Sequence, residues 1–148
     1  MSPPFQPGQF VWCRFPFFEA PLSPGEKERI VYVADIRQHP ARRVLTVMSL
    51  YTTTRTWDAD AARPLGIIPV DAAAAARMNQ KPFVIDARRI AFVPLDEAFF
   101  PRLRTPDAAI VSTAPPAFRR QVENALARLA GRADLVQQLG PDMPGRRR

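Results

Sequence analysis

Seventeen of the 148 residues are proline, and they decide where this chain can be regular. A proline has no N–H to donate and a fixed φ, so it breaks helix interiors and is confined to the edges and ends of strands. Long helices therefore fit in few places, and the apolar runs between prolines are short. Gly8 to Phe15 is aromatic and β-branched and lies between Pro7 and Pro16. It predicts a strand buried on both faces. Residues 16–25 hold three prolines and a glycine and predict a loop, an unusual one because Phe17, Phe18 and Leu22 are large and apolar.

Further strands are predicted over 28–36 and 44–51, joined by a turn around His39-Pro40, and over 65–70. Residues 83–86 and 89–94 predict two short strands or one bent one. Residues 55–64 form a polar loop carrying Trp57. Asp71 is placed to cap a helix over 72–78, with Asn79 near its end, and residues 98–103 suit a single helical turn. Phe118, Val122, Ala125, Leu126 and Leu129 recur on one helical face after Pro115, which predicts a closing amphipathic helix. That helix extends past Gly131 to Leu139 if residues 133–139 follow it. The expected organisation is one domain over residues 1–139 and a disordered basic tail over 140–148. Hairpin-linked strands under a covering helix suggest a mainly β fold, a small antiparallel barrel.

Several chemistries are disfavoured by residue supply. Cys13 and His39 are the sole cysteine and histidine, so no disulfide framework, Cys-based zinc cage or His-rich metal site is expected, and no cofactor is implied. The six glycines are isolated, which argues against a phosphate loop of the nucleotide-hydrolysing kind. Cys13, in mid-strand, reads as a buried structural thiol. The Asp58/Asp60 and Asp96-Glu97 pairs read as surface acids. No apolar run is long enough to span a bilayer and the N-terminus lacks the pattern of a secretion signal, so a cytoplasmic protein without a membrane role is expected.

The formal charge is +7, and residues 117–148 carry seven basic and three acidic side chains, a net +4. Lysine is confined to Lys27 and Lys81; the other cations are arginines, whose planar fork favours polyanions. An Arg-for-Lys bias of the genome accounts for the same composition. A terminal Arg146–Arg148 run suits contact with RNA or an acidic partner, or a solvated tail.

Arg29 opens the second strand, and Thr52, Thr53 and Thr54 close the third. An antiparallel hairpin between these strands brings both groups to one rim, with Phe17, Phe18 and Trp57 on flanking loops. A guanidinium grips a phosphate in two places and stabilises charge growing on it. A threonine hydroxyl donates to another phosphate oxygen, and loop aromatics stack on bases. RNA supplies its own nucleophile in the 2′-OH. On a plainer view, Arg29 pairs with Glu26 or Glu28, the threonines are an ordinary strand edge, and Phe17 and Phe18 plug a barrel end.

The order of these segments resembles the MazF/PemK-like toxins of type II toxin–antitoxin pairs. Those chains open with a Gly-Asp-Ile-Val-Trp-Val-x-Phe-like strand, matched here by Gly8-Gln9-Phe10-Val11-Trp12-Cys13-Arg14-Phe15. They continue to Lys-x-Arg-Pro before a β-branched strand, here Lys27-Glu28-Arg29-Ile30-Val31-Tyr32-Val33, and then to a Thr-Ser element, here Tyr51-Thr52-Thr53-Thr54. The stretch Met78 through Pro94 is similar to a segment of some PemK-like relatives, and a closing helix follows. The resemblance spans roughly residues 8–130. It implies an SH3-like barrel of the PemK/CcdB type, a homodimer, and a metal-independent endoribonuclease acting on single-stranded RNA and restrained by a small antitoxin protein. It places transition-state stabilisation on Arg29 and assistance at the phosphate on Thr53, or on Thr52 if the shorter Pro-x-Thr-Ser form applies. Phe17, Phe18, Lys27, Thr54 and Trp57 are the expected RNA contacts. Ile30 stands where the family has proline, and Thr52 where it has glycine. A CcdB-like barrel that binds a protein such as gyrase, or a barrel that binds RNA without cutting it, are the alternatives.

Overall fold

In the computed structural model, which describes residues 3–54 and 63–144, the first strand, β1, covers Gln9–Cys13. β2 is Arg29–Gln38 and β3 is Leu45–Thr53. β4 (Ile67–Val70) leads into helix α1 (Ala72–Arg77), and β5 is Phe83–Pro94. A single helical turn, α2 (Pro106–Ala109), precedes β6 (Ile110–Thr113), and helix α3 is Pro116–Ala130. A 3-10 turn at Ala133–Leu135 precedes β7 (Gln137–Leu139). The fold is mainly β: one sheet of order β4-β5-β3-β2-β1-β6, with β7 added parallel to β5. All other pairings are antiparallel.

Both faces of the sheet are buried. Phe10, Ile30, Tyr32 and Leu50 point to one face, where α1 and α3 lie over them with Ala75, Val122 and Leu129. Val11, Cys13, Val31, Val33 and Val47 alternate to the other face and pack with Phe5, Phe99, Phe100 and Leu139. This alternation is the period-two geometry of a strand, and it explains why β1 and β2 read as nearly continuous apolar runs. The helical face expected after Pro115 is the one α3 turns inward: Val122 and Leu129 are buried, and Phe118, Ala125 and Leu126 pack against the same cluster. Asp71 caps α1 as expected, its Oδ1 accepting from the N–H of Ala74 at 2.7 Å.

Residues 83–94 form one strand, and it is irregular. Leu50 faces Ile90 and Tyr51 faces Asp86, so β5 carries three residues, 87–89, that have no counterpart on β3. Side-chain alternation slips there: Phe83, Ile85 and Ala87 share the helix-covered face, and so does Ile90, while Ala91 and Val93 lie opposite. β4 pairs with the first half of β5 and β7 with the second, along the same edge.

Two expectations need correction, and a third is met. α3 does not continue past Gly131; the chain turns, Arg132 pairs with Asp134, and residues 137–139 pair with β5 instead. Over residues 96–103 the chain makes short hydrogen-bonded turns, as expected: the Asp96 carboxylate accepts from the N–H groups of Ala98 and Phe99, Phe100 N–H donates to the Asp96 carbonyl at 2.9 Å, and Phe99 and Phe100 are buried. Residues 140–144 are no loose tail. Gly140 N–H donates to the Pro21 carbonyl at 2.7 Å and Asp142 N–H to that of Phe92 at 3.0 Å. The Asp142 carboxylate, fully buried, pairs with Arg42 and accepts from Thr46 Oγ1 at 2.9 Å. Its partners lie about a hundred positions away in sequence, which no local pattern reveals. The Arg146–Arg148 run lies outside the described residues, and no helix among those described is long and apolar enough to cross a membrane.

Candidate functional site

β2 extends to Gln38 and β3 begins at Leu45, so the hairpin is centred later than His39-Pro40 and its arms are nearly equal. β2 also carries a bulge between Val33 and Asp35. Together these put the start of β2 against the end of β3. Arg29 Nη1 donates to the Thr52 carbonyl at 3.4 Å, and Thr52 Oγ1 donates to the Ile30 carbonyl. Arg29 and Thr52–Thr54 line one cavity of about 270 Å³, together with Trp12, Glu28 and Gln80.

Strand alternation separates the threonines. Tyr51 packs with the second core cluster, so Thr53, two residues on, shares its side of the strand and that of Arg29. Thr52 turns the other way, is buried, and commits its hydroxyl hydrogen to the backbone. Thr53 is half-buried and Thr54 exposed, and both face the cavity.

The Arg29 guanidinium lies over the Tyr51 ring, 4.4 Å from its centroid, and that of Arg89 lies 4.7 Å from the same centroid. The slip in β5 is what brings Arg89 there. Its neighbour Arg88 turns aside into a two-pronged pair with Asp86, both contacts 2.9 Å, which pushes the Arg88 pKa up. Among the described residues neither Arg29 nor Arg89 has a carboxylate within ion-pair distance. Glu28, the neighbour most able to neutralise Arg29, is engaged by Arg102 Nε at 2.9 Å, and Arg102 stacks 4.5 Å over Trp12. Two cations stacked on one aromatic ring hold their planes in place and leave N–H edges for an anion.

A second cavity of about 230 Å³ adjoins the first through Arg29 and is lined by Phe17, Phe18, Tyr51, Arg89 and Leu139. Phe17 and Phe18 are 43% and 63% exposed, so they do not plug the sheet end; buried Phe15, 5.3 Å from Tyr51 ring to ring, does that instead. The loop carrying them is tied at two points. Gly25 N–H donates to the Arg14 carbonyl, and Gly140 N–H to that of Pro21. Lys27 is exposed and lines neither cavity. Trp57 lies outside the described residues.

Cys13 is unsuited to nucleophilic work: burial pushes its thiol far above the ordinary range, outweighing the contacts of Ser49 and Arg29. Among the described residues no group of three or more His, Cys, Asp or Glu is disposed to hold a metal ion. A larger cavity, about 740 Å³, lies at the turn end of the same hairpin, beside His39, Arg42, Thr46 and Asp142. There the cation is already neutralised, since Asp142 faces Arg42.

Sequence reasoning singled out Arg29 and the threonines but missed Arg89, Tyr51 and Gln80 as lining residues. A double arginine, Arg88-Arg89, inside an apolar strand was the available sign, because charged side chains in a strand covered on both faces need a partner or a site. The arrangement as a whole offers unneutralised guanidinium forks beside hydroxyls and exposed rings, a chemistry suited to phosphate and base. No protein-family model matches the chain, and no curated protein is significantly similar to it.

Proposed function

We propose that this protein is a MazF/PemK-like toxin of a type II toxin–antitoxin pair, a metal-independent endoribonuclease cutting single-stranded RNA. The observation that carries the reading is the convergence of an unneutralised Arg29 with Thr53 in one cavity, next to a groove with exposed aromatics. On this reading the sheet and its covering helix correspond to the SH3-like barrel of PemK and CcdB, the chain acts in the cytoplasm as a homodimer, and a small antitoxin protein restrains it.

In the reaction, the ribose 2′-oxygen bonds to phosphorus while the bond from phosphorus to the 5′-oxygen breaks. The proton leaving the 2′-OH is balanced by the one the 5′-oxygen gains, so products are a 2′,3′-cyclic phosphate and a 5′-hydroxyl. Arg29 holds two non-bridging oxygens and meets the charge that builds on them; Arg89 adds a second positive charge across Tyr51. Thr53 Oγ1 donates to the phosphate. Phe17 and Phe18 stack on bases.

The test is cleavage of a mixed single-stranded RNA in the presence of a chelator, alongside the same sequence with 2′-deoxy sugars. Cleavage of the RNA alone is expected, with the rate for Arg29→Ala lower by about 10²–10³ and its thermal unfolding unchanged. Undiminished cutting by folded Arg29→Ala overturns the mechanism. A second reading, an RNA-binding protein that does not cut, is favoured by one observation: the carboxylate adjoining Arg29 in the chain, Glu28, is already engaged by Arg102. Salt-dependent RNA binding with no products distinguishes it. Inhibited DNA supercoiling without RNA binding points instead to a CcdB-like gyrase partner.

A further inference from the structure

The two cavities that share Arg29 differ in chemistry. The one beside Phe17 and Phe18 is walled by rings and Leu139. The other is lined by residues with hydrogen-bonding side chains, Gln80, Thr53, Thr54 and Glu28, together with Trp12 and Phe83. At about 270 Å³ it is below the common range for ligand pockets, which starts near 300 Å³, so it suits one flat ring system rather than a folded ligand. We propose that the polar cavity is a base-reading subsite and that Gln80 is its specificity-determining residue, an inference that rests on the ribonuclease reading and names the part of the substrate this site discriminates.

Gln80 is placed with care for an exposed residue. α1 ends in a reversal: Asn79 adopts a left-handed φ of 59°, its N–H reaches the Ala76 carbonyl, and the Gln80 N–H returns to that of Ala75 at 2.9 Å. This closing turn locks the backbone at 80 and delivers the side chain to the cavity rim. Among the described residues the Gln80 carboxamide has no hydrogen-bond partner. It carries a donor and an acceptor side by side, which is what a base edge presents in return. The opposite wall is also fixed, because Glu28 is held by Arg102 and Arg102 by Trp12. Glu28 can only accept, whereas the Gln80 carboxamide and the threonine hydroxyls can accept as well as donate, so the fixed acceptor favours a base with an exocyclic amino group (adenine, cytosine or guanine) over uracil. Selective reading of an unpaired base by its edge is the usual route to sequence preference in single-stranded RNA. The ring-lined cavity stacks any base and discriminates little.

The experiment uses short single-stranded RNAs that differ only in the nucleotides flanking the scissile phosphate, cut by the full chain and by Gln80→Ala and Gln80→Glu. Wild-type protein is expected to rank one flanking position by base, the amino-bearing bases ahead of uracil by roughly five- to a hundredfold in kcat/KM. Gln80→Ala flattens that ranking, while Gln80→Glu, which trades the donor for a second acceptor, steepens it. Phe18→Ala lowers kcat/KM for all sequences alike. If wild-type protein cuts RNA and both Gln80 variants keep its ranking, the subsite assignment falls and the ribonuclease reading stands. If wild-type protein cuts no RNA, both fall together.

Discussion

Thr52 and Thr53 are neighbours of the same type, yet the strand sends them to different work. Thr52 is buried with its hydroxyl on the Ile30 carbonyl, and Thr53 shares the side of Arg29. Thr52→Val leaves that carbonyl without its side-chain donor and is expected to cost about 1–3 kcal/mol of stability, read as a lower denaturation midpoint, with cleavage by the folded fraction little changed. Thr53→Val is expected to act on the reaction instead, the cleavage rate per folded molecule dropping about tenfold, the loss of one modest hydrogen bond to the phosphate. Matching profiles for the two variants would refute the assignment. The threonine run and Arg29 were legible in the sequence because they sit at strand ends, where polarity interrupts an apolar pattern. Which threonine faces Arg29 was not, since that depends on hairpin register and a bulge in β2. Arg89 was less legible still: three unmatched residues in β5 re-aim it, and a bulge leaves no reliable mark on composition.

At the scale of elements, the aromatic loop over 16–25 is secured by glycine at both ties. Gly25 admits no side chain, since a Cβ there would lie 2.3 Å from the Phe15 carbonyl oxygen. Gly140 is held at φ +97°, and a Cβ on it would come within 2.1 Å of the Phe92 oxygen. Gly140→Ala therefore faces both backbone strain, about 1–3 kcal/mol, and a backbone clash that shifts β7. The expected outcome is a lower melting temperature together with faster proteolytic nicking of residues 16–25, because the bond to Pro21 is lost. An intact loop in the variant would show that Gly140 does not hold it. The strands over 9–13, 29–38 and 45–53, the α1 cap and the α3 face were all readable from short-range pattern. β6 and β7 were not, being short edge strands whose only reason to be extended is a partner elsewhere, β1 for one and β5 for the other.

Over the whole molecule, the +7 charge says less than its placement. Several of the 21 basic side chains are matched locally, among them Arg42 by Asp142, Arg88 by Asp86, Arg102 by Glu28 and Arg132 by Asp134. Among the described residues Arg29 and Arg89 have no such partner, and they meet at one ring. Binding of a single-stranded RNA is thus expected to weaken as salt rises, and Arg89→Ala to reduce the slope of log affinity against log salt by about 0.7, the share of one phosphate contact. Arg88→Ala, which removes an equal formal charge already paired with Asp86, is expected to leave the slope unchanged. Equal slopes for the two variants would place the RNA elsewhere.

The tie between Gly140 and Pro21 has a bearing on how the molecule assembles itself. It joins stretches near opposite ends of the described chain, and contacts so distant carry the largest loop-closure entropy, whereas the hairpin of β2 and β3 forms from neighbours. The β1–β6 pairing spans a similar separation, so the loop tie and the closing of that sheet edge are expected to form together, after the hairpin. If the proposed ribonuclease reading holds, recovery of RNA cleavage is then expected to trail formation of the β2–β3 hairpin.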